Sequence, residues 1–474
     1  MSQNSRHLRL NLFLSHSGQH AHAARLPSGR PDRSNDISLY IEQARAAEDA
    51  KLDSLFLADG VDGGLGKSNF LGAGRFEPFN LFTAITSATE KIGVIMTAST
   101  TFYDPFTAAR SLASLDHLSD GRAGWNVVTS RRETETRNMG FDSHPGHSQR
   151  YERAREFVDV TKKLWDSWDD DALVFDQQGG VYADPAKVRA INHRGPNFAV
   201  DGPNTIPRPV QGYPVLVQAG ASDDGREFAA QTAEAIFTAQ NVFEDAQEFY
   251  GDVKSRMTKY GRSPEELVIL PGLCFVLGRT EEEALARQDE LLQFVDTSNA
   301  LERLSQMFHV DLTGLTLDDH VPFEKLPPVE SIKLDQGRFK VYVDMARRDN
   351  LTLRQIVYRS AGGRGHNYFV GTPLQMVDHM EKWLDNGAAD GFNLMPGVLP
   401  TDWDFLVNDV LPELRRRGLF RDEYTGSTLR EHYRLQRPEN QFTTGKTEVG
   451  AAIPHSVEIP SPNFLQNVKT PVSA

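Results

Sequence analysis

The stretch SDGRAGWNVVTSRRETETRNMG, residues 119–140, decides how this sequence folds. Its apolar run from Ala123 to Val128 reads as a buried strand. The run turns polar at Thr129 and Ser130 and then becomes densely charged, where a buried strand ordinarily closes on a turn residue and a helix cap. A strand with such an exit holds something at its end.

Working outward, strand-like apolar runs alternate with amphipathic helical patterns along most of the chain. The runs are LRLNLFLS (8–15), SLFLAD (54–59), IGVIMTAST (92–100), AGWNVVT (123–129), PVLVQAG (214–220), AIFTAQ (235–240), LVILPGLCFVLG (267–278) and GFNLMP (391–396). Helical patterns such as ISLYIEQARAAEDAK and TAARSLASLDHLS lie between them. Eight strands separated by helices imply parallel pairing through right-handed crossovers. Their number and spacing predict an α/β fold of the closed (β/α)8 type, a TIM barrel with insertions. No G-x-G-x-x-G follows a strand, which argues against an open nucleotide-binding sheet.

Residues 1–437 are read as one barrel. Two segments exceed ordinary connections: 169–213, rich in Asp, Gly and Pro, and 296–370, read as a lid or dimer arm. Residues 438–474 have no periodicity and read as a tail. The net charge of −14 opposes binding to nucleic acid or to anionic membrane surfaces. No run reaches the roughly 18 apolar residues of a membrane span, and the N-terminus lacks a signal peptide's apolar core, so the expected location is the cytoplasm. The single cysteine, Cys274, sits in an apolar run and reads as a core residue.

In a (β/α)8 barrel, chemistry gathers at the carboxyl ends of the strands. Here those ends supply Ser17 and His20, Asp59, Thr97, Asn126, Gln218 and Ser222, mostly neutral hydrogen-bonding groups with one carboxylate. That rim suits a flat, polar heteroaromatic ligand better than a metal, which needs converging carboxylates or histidines. In QAGASDDGREFA (218–229) a strand passes through Gly-Ala-Ser into a helix start, a place for a phosphate. An ordinary serine cap with an acidic first turn accounts for the same residues, and Asp223 and Asp224 would repel an anion. In HPGHSQRYERAREF (144–157), His147 and Tyr151 share a helix face, with Arg150 alongside. HSGQHAH (16–22) lacks the acidic partner of a metal motif, so no metal is assigned, and His20 reads as a hydrogen-bonding or acid–base group. In RRETETR, Arg131 and Arg132 follow a strand end and are placed to meet a substrate carboxylate.

The stretches SLFLADG, TASTTFYDPFTAARSLASLDHLSDGRAGWNVVTS, HSQRY, LWDSWDDDALV, PVLVQAGAS and LPELRRRGLFRDEYTGSTLREH together resemble one family. It is the bacterial-luciferase-like flavin-dependent monooxygenases, in the branch of nitrilotriacetate, EDTA and dibenzothiophene-sulfone monooxygenases. ARRDNLTLRQ and KSRMTKYGRS are most similar to the nitrilotriacetate enzyme's large component. The resemblance implies reduced FMN (FMNH2) from a separate NAD(P)H:FMN oxidoreductase, with O2 as co-substrate. It implies a flavin C4a-(hydro)peroxide that inserts one oxygen atom into a small organic substrate. Residue by residue, Asp59 and Thr97 match positions lining the isoalloxazine, and His147, Tyr151 and Ser222 match the remaining FMN contacts. His20 matches an active-site histidine of the alkane-oxidising relative, whose adjacent cysteine is Ser17 here and whose downstream histidine is Arg131. Those departures turn the expectation away from alkanes and toward C–N cleavage of an aminopolycarboxylate, with an organosulfur substrate or a deazaflavin-dependent dehydrogenase as alternatives. The family also implies a homodimer or homotetramer.

Overall fold

The computed structural model describes residues 7–62, 76–130, 132–295, 297, 299–332 and 336–444. The predicted alternation folds into a closed barrel of eight parallel strands. They are Arg9–Phe13, Ser54–Leu57, Gly93–Ser99, Ala123–Val128, Val215–Gln218, Ala235–Thr238, Val268–Leu277 and Gly391–Pro396. Each pairs in parallel with the next, and the eighth closes on the first with Gly391 opposite Arg9. Strands buried on both faces carry continuous apolar runs rather than alternation, as in GVIMTAS, where all residues are buried. Several of the helices between them begin on side-chain caps. Asp104 accepts from the Thr107 N–H ahead of Pro105, and Thr372 caps the helix Pro373–Asp385.

One apolar cluster fills the space between strands and helices, with Phe82, Trp125, Trp165 and Trp383 buried in it. A second lies inside the barrel, formed by Phe56, Ile95, Val217, Phe237 and Met395 with Leu429 and Tyr433 from the C-terminal segment. Tyr433 Oη donates to Asn11 Oδ1 at 2.8 Å. A Cβ on Gly93 would meet Leu429 Cδ1 at 2.6 Å. The returning chain thus plugs the amino-terminal mouth, and access is left to the carboxyl end. Cys274 is fully buried, with burial pushing its thiol up to about 12.

The seventh strand is long because it changes neighbours. Val268–Pro271 pair with the sixth strand, and beyond them the same edge takes a further parallel strand, Asn367–Gly371. Sequence analysis did not single out this strand; it ends the excursion that follows the seventh strand. Within that excursion, Leu304, Phe308, Tyr342, Leu353 and Ile356 form a separate apolar cluster. The segment 169–213 carries two small antiparallel sheets, Leu173–Asp176 with Val181–Ala183 and His193–Arg194 with Ala199–Val200. Asn440 donates to Asp166 O at 3.0 Å, fastening the start of the tail beside that segment. Among the described residues no helix is long and apolar enough to cross a membrane.

Candidate active site

A cavity of about 690 Å3 opens at the carboxyl ends of the strands, within the roughly 300–1,000 Å3 typical of small-ligand sites. His20, Ser17, Asp59, Thr97, His147, Tyr151 and Ser222 all line it, although they are spread over two hundred positions of sequence. Arg131 lies outside the described residues. Two further polar groups, Gln240 after the sixth strand and Asn393 in the eighth, do not line the cavity, and Asn393 is fully buried.

The opening stretch finds its explanation here. Ser130 adopts φ +48°, a left-handed conformation that costs a non-glycine residue on the order of 1 kcal/mol. Four groups hold the turn against that cost. Thr101 Oγ1 donates to Thr129 O at 2.7 Å, Ser130 Oγ donates to Ser99 Oγ at 2.8 Å, the Thr100 N–H donates to Val128 O at 2.9 Å, and Arg150 donates to Ser130 O. The strand end is clamped because it forms the cavity wall.

Deeper on that wall, Thr97 Oγ1 donates to Leu57 O at 2.8 Å, so its remaining capacity accepts from Asn126 Nδ2, also at 2.8 Å. This chain fixes the Asn126 amide and leaves Oδ1 as a buried acceptor without a protein partner. Thr97 therefore positions Asn126, and the group free for a ligand is the asparagine oxygen. The floor is aromatic: Phe13, Phe56 and Phe237 pack with ring centroids 5.0–5.8 Å apart.

His20 stands on the exit of the first strand. Gly18 at φ +123° makes that exit possible, since a Cβ there would lie 2.3 Å from Gly397 O. The Gln19 and His20 N–H groups donate to Pro396 O and Gly397 O. His20 Nδ1 accepts from the His22 N–H at 3.2 Å, which places the ring proton on Nε2. Nε2 is buried and has no protein partner. Burial, with positive His22 and Arg364 nearby, drives the imidazole down to about 3. It is a neutral N–H donor at working pH. Ser17 Oγ is engaged by the Arg30 N–H at 3.1 Å and lies 2.7 Å from His16 Nδ1.

A depressed histidine has a thermodynamic consequence. The unfolded chain protonates His20 near 6.5, whereas the folded chain resists protonation down to about 3. The stability it contributes is complete above the unfolded value and is lost as pH falls through that window. At about pH 5 the loss amounts to about 2 kcal/mol. Urea unfolding of wild type and His20→Gln at about pH 7 and pH 5 measures it: the wild type loses more stability by that amount. Equal losses refute the depressed ionisation.

On the wall after the fifth strand, Ser222 caps the helix Asp223–Thr232, with Oγ accepting from the Gly225 N–H at 3.2 Å. His147 places Nε2 3.5 Å from Ser222 Oγ and Nδ1 3.0 Å from Asp224 Oδ2. Tyr151, one turn along the same helix, is 6% exposed; burial raises its phenol, and hydrogen bonds to Ser222 and Thr129 oppose the rise. The two carboxylates that would repel an anion are engaged: Asp224 by His147, and Asp223 by Arg256 at 2.7 Å. Arg150 is 4% exposed and keeps a buried Nε without a partner. Arg132, by contrast, pairs with Asp62 at 2.6 Å.

Among the described residues, the donor set fits an FMN-like molecule. An unpartnered amide oxygen suits a polar ring edge, a neutral imidazole N–H is left for the reacting group, aromatic rings form the floor, and a helix start with hydroxyls and a buried guanidinium suits a phosphate. Gly220 completes the fit, since a Cβ there would reach 2.4 Å from Gln218 Nε2 and 2.9 Å from Tyr151 Oη.

Comparison with known proteins agrees. Residues 12–389 match the family model described as luciferase-like monooxygenase. The chain is 44% identical to N-acetyl-S-(2-succino)cysteine monooxygenase of Bacillus subtilis (strain 168), over 93% of this chain and 100% of that one. It is 44% identical to nitrilotriacetate monooxygenase component A of Aminobacter aminovorans, over 92% and 98%. Its structure superposes with a TM-score of 0.78 on a riboflavin lyase solved with modified FMN and riboflavin, at 31% identity over 90% of this chain and 95% of that one.

Proposed function

Because this chain belongs to the luciferase-like monooxygenase family, we propose that it is the oxygenating component of a two-component system. It takes FMNH2 from a separate NAD(P)H:FMN oxidoreductase and hydroxylates a carbon beside nitrogen or sulfur in a small carboxylated molecule. The observation that carries this reading is one cavity lined by Asn126 and His20, each with an unpartnered buried polar atom, and by the helix start at Ser222. Two relatives at 44% identity are named for compounds that combine carboxylates with a central nitrogen or sulfur, which supports the substrate class.

Bound FMNH2 would supply the two electrons with which O2 gives one atom to the substrate and the other to water. Ser222, Tyr151, His147 and Arg150 would hold its phosphate, and Asn126, positioned by Thr97, its polar ring edge; Asp59 lies on the same rim. The phenylalanine floor excludes water, which favours coupled oxygenation over loss of peroxide. His20, whose buried Nε2–H has no protein partner, would donate a hydrogen bond to oxygen at the reacting centre. Hydroxylation next to the heteroatom gives a carbinolamine or hemithioacetal, which collapses to an amine or thiol and a carbonyl compound. From an N-acetate group that compound is glyoxylate.

A direct test couples the purified chain to a generic NADH:FMN reductase and offers nitrilotriacetate, EDTA, S-(2-succino)cysteine derivatives and an aromatic sulfone. The expected result is a fall in H2O2 release with a carboxylated substrate, matched by carbonyl product and ¹⁸O from O2 in it. Full conversion of O2 to H2O2 with every carboxylated compound refutes the substrate class.

A further inference from the structure

We propose that Arg338, carried on the helix Gln336–Arg348 of the excursion after the seventh strand, closes the phosphate site, so that this helix docks on a flavin bearing a phosphate and not on one lacking it. The inference rests on the reading of the cavity as an FMN site and adds a residue to it.

Three observations converge on Arg338. It lines the same cavity as Ser222 and Tyr151. Its neighbour Gly337 lies against the phosphate-site loop: a Cβ there would stand 3.7 Å from Ala221 Cβ and 3.9 Å from Ser222 N. Among the described residues Arg338 makes no hydrogen bond, ion pair or ring contact, whereas Arg132 is paired with Asp62 and Arg256 with Asp223. A guanidinium without a partner on a cavity wall is costly unless a ligand or water takes its donors.

The charge balance of the site asks for such a group. A phosphate dianion meets neutral donors from Ser222, Tyr151 and the helix start, and one buried guanidinium, Arg150, already committed in part to Ser130 O. Arg338 supplies the second cation from the helix whose start packs against the Ala221–Ser222 loop. Three residues further along its helix, Val341 reaches the loop behind the added strand, 3.7 Å from a Cβ placed on Gly365. The helix therefore bridges the mouth from the phosphate loop to the His20 side, where Arg364 also lines the cavity.

The test compares oxidised FMN with riboflavin, which lacks only the phosphate, by flavin fluorescence titration. Removal of a charge-assisted contact in Arg338→Ala should weaken FMN by about ten- to a hundredfold, with riboflavin affinity unchanged. Arg338→Lys, which keeps the charge without the fork, should fall between, and Lys340→Ala, which removes an exposed charge of the same helix that pairs with Asp344, should bind FMN as wild type does. In wild type, FMN and not riboflavin should slow amide hydrogen exchange across 337–348, and Arg338→Ala should lose that protection. If wild type prefers FMN and Arg338→Ala keeps the full preference, the role of Arg338 is overturned while the FMN site stands. If wild type shows no preference for FMN, the phosphate site itself falls, and this inference with it.

Discussion

Replacing His20 with alanine should lower coupled substrate oxygenation by about 10²-fold while O2 is still consumed and leaves as H2O2, and FMN affinity should stay within about twofold. The expectation follows from how His20 is held. Its backbone is tied to the exit of the eighth strand through Gly397 O, and its Nδ1 is occupied by the His22 N–H. One buried Nε2–H then points from a neutral ring into the cavity without a protein partner. Such a donor, fixed in place before the reaction, stabilises charge that develops on oxygen at little reorganisation cost. Because the imidazole is depressed to about 3, it does not act as a proton carrier near neutrality. His20→Gln keeps an N–H donor and should recover part of the lost rate. A side chain acting by proton transfer would leave glutamine no better than alanine. Product formed per O2 consumed decides the matter: an alanine variant as well coupled as wild type removes His20 from the chemistry.

The barrel was legible in the sequence because strands buried on both faces write themselves as mainly apolar runs, broken inside the first, third, fourth and eighth strands only by Asn11, Thr97, Asn126 and Asn393. The added strand Asn367–Gly371 escaped for the opposite reason. Its apolar run is only three residues, Tyr368 to Val370, and these are half-buried while its two end residues, Asn367 and Gly371, are the buried ones. At the site, His147, Tyr151 and Ser222 were found through family resemblance, and the structure brings them within hydrogen-bonding reach of one another across more than seventy positions. Three things were not legible. The engagement of Asp223 and Asp224 depends on Arg256 and His147, which only the fold brings alongside. The choice between Thr97 and Asn126 depends on where the threonine proton goes, to Leu57 O. Arg338 stands in the segment 296–370 read only as a lid or dimer arm, and its place on the cavity wall comes from the approach of Gly337 to Ser222. In each case the missing information is a pairing across the fold, which a linear pattern does not carry.

Gly220→Ala should weaken FMN by about a hundredfold or more and leave the barrel folded. A methyl group at this position would meet Gln218 Nε2 at 2.4 Å, Tyr151 Oη at 2.9 Å and Gly225 Cα at 3.0 Å. None of the three yields cheaply. Gln218 is 4% exposed and holds the Gly220 N–H on its Oε1 at 2.7 Å. Tyr151 packs edge-on against Phe228 with centroids 5.9 Å apart. Gly225 is backbone in the first turn of the Ser222 helix. The displaced atoms are those that would meet the phosphate, so the substitution spoils the cradle from within, and overpacking there costs about 1–3 kcal/mol even without ligand. Gly251→Ala controls for glycine replacement as such: it lies in the helix Phe243–Arg256 with nothing within 4 Å of the added carbon, and should bind FMN as wild type does. Flavin titration and thermal unfolding of the two variants side by side separate a lost cradle from a lost fold. If Gly220→Ala binds FMN at wild-type strength while remaining folded, the phosphate does not sit at the Ser222 helix start, and the orientation of the flavin in this cavity must be reversed.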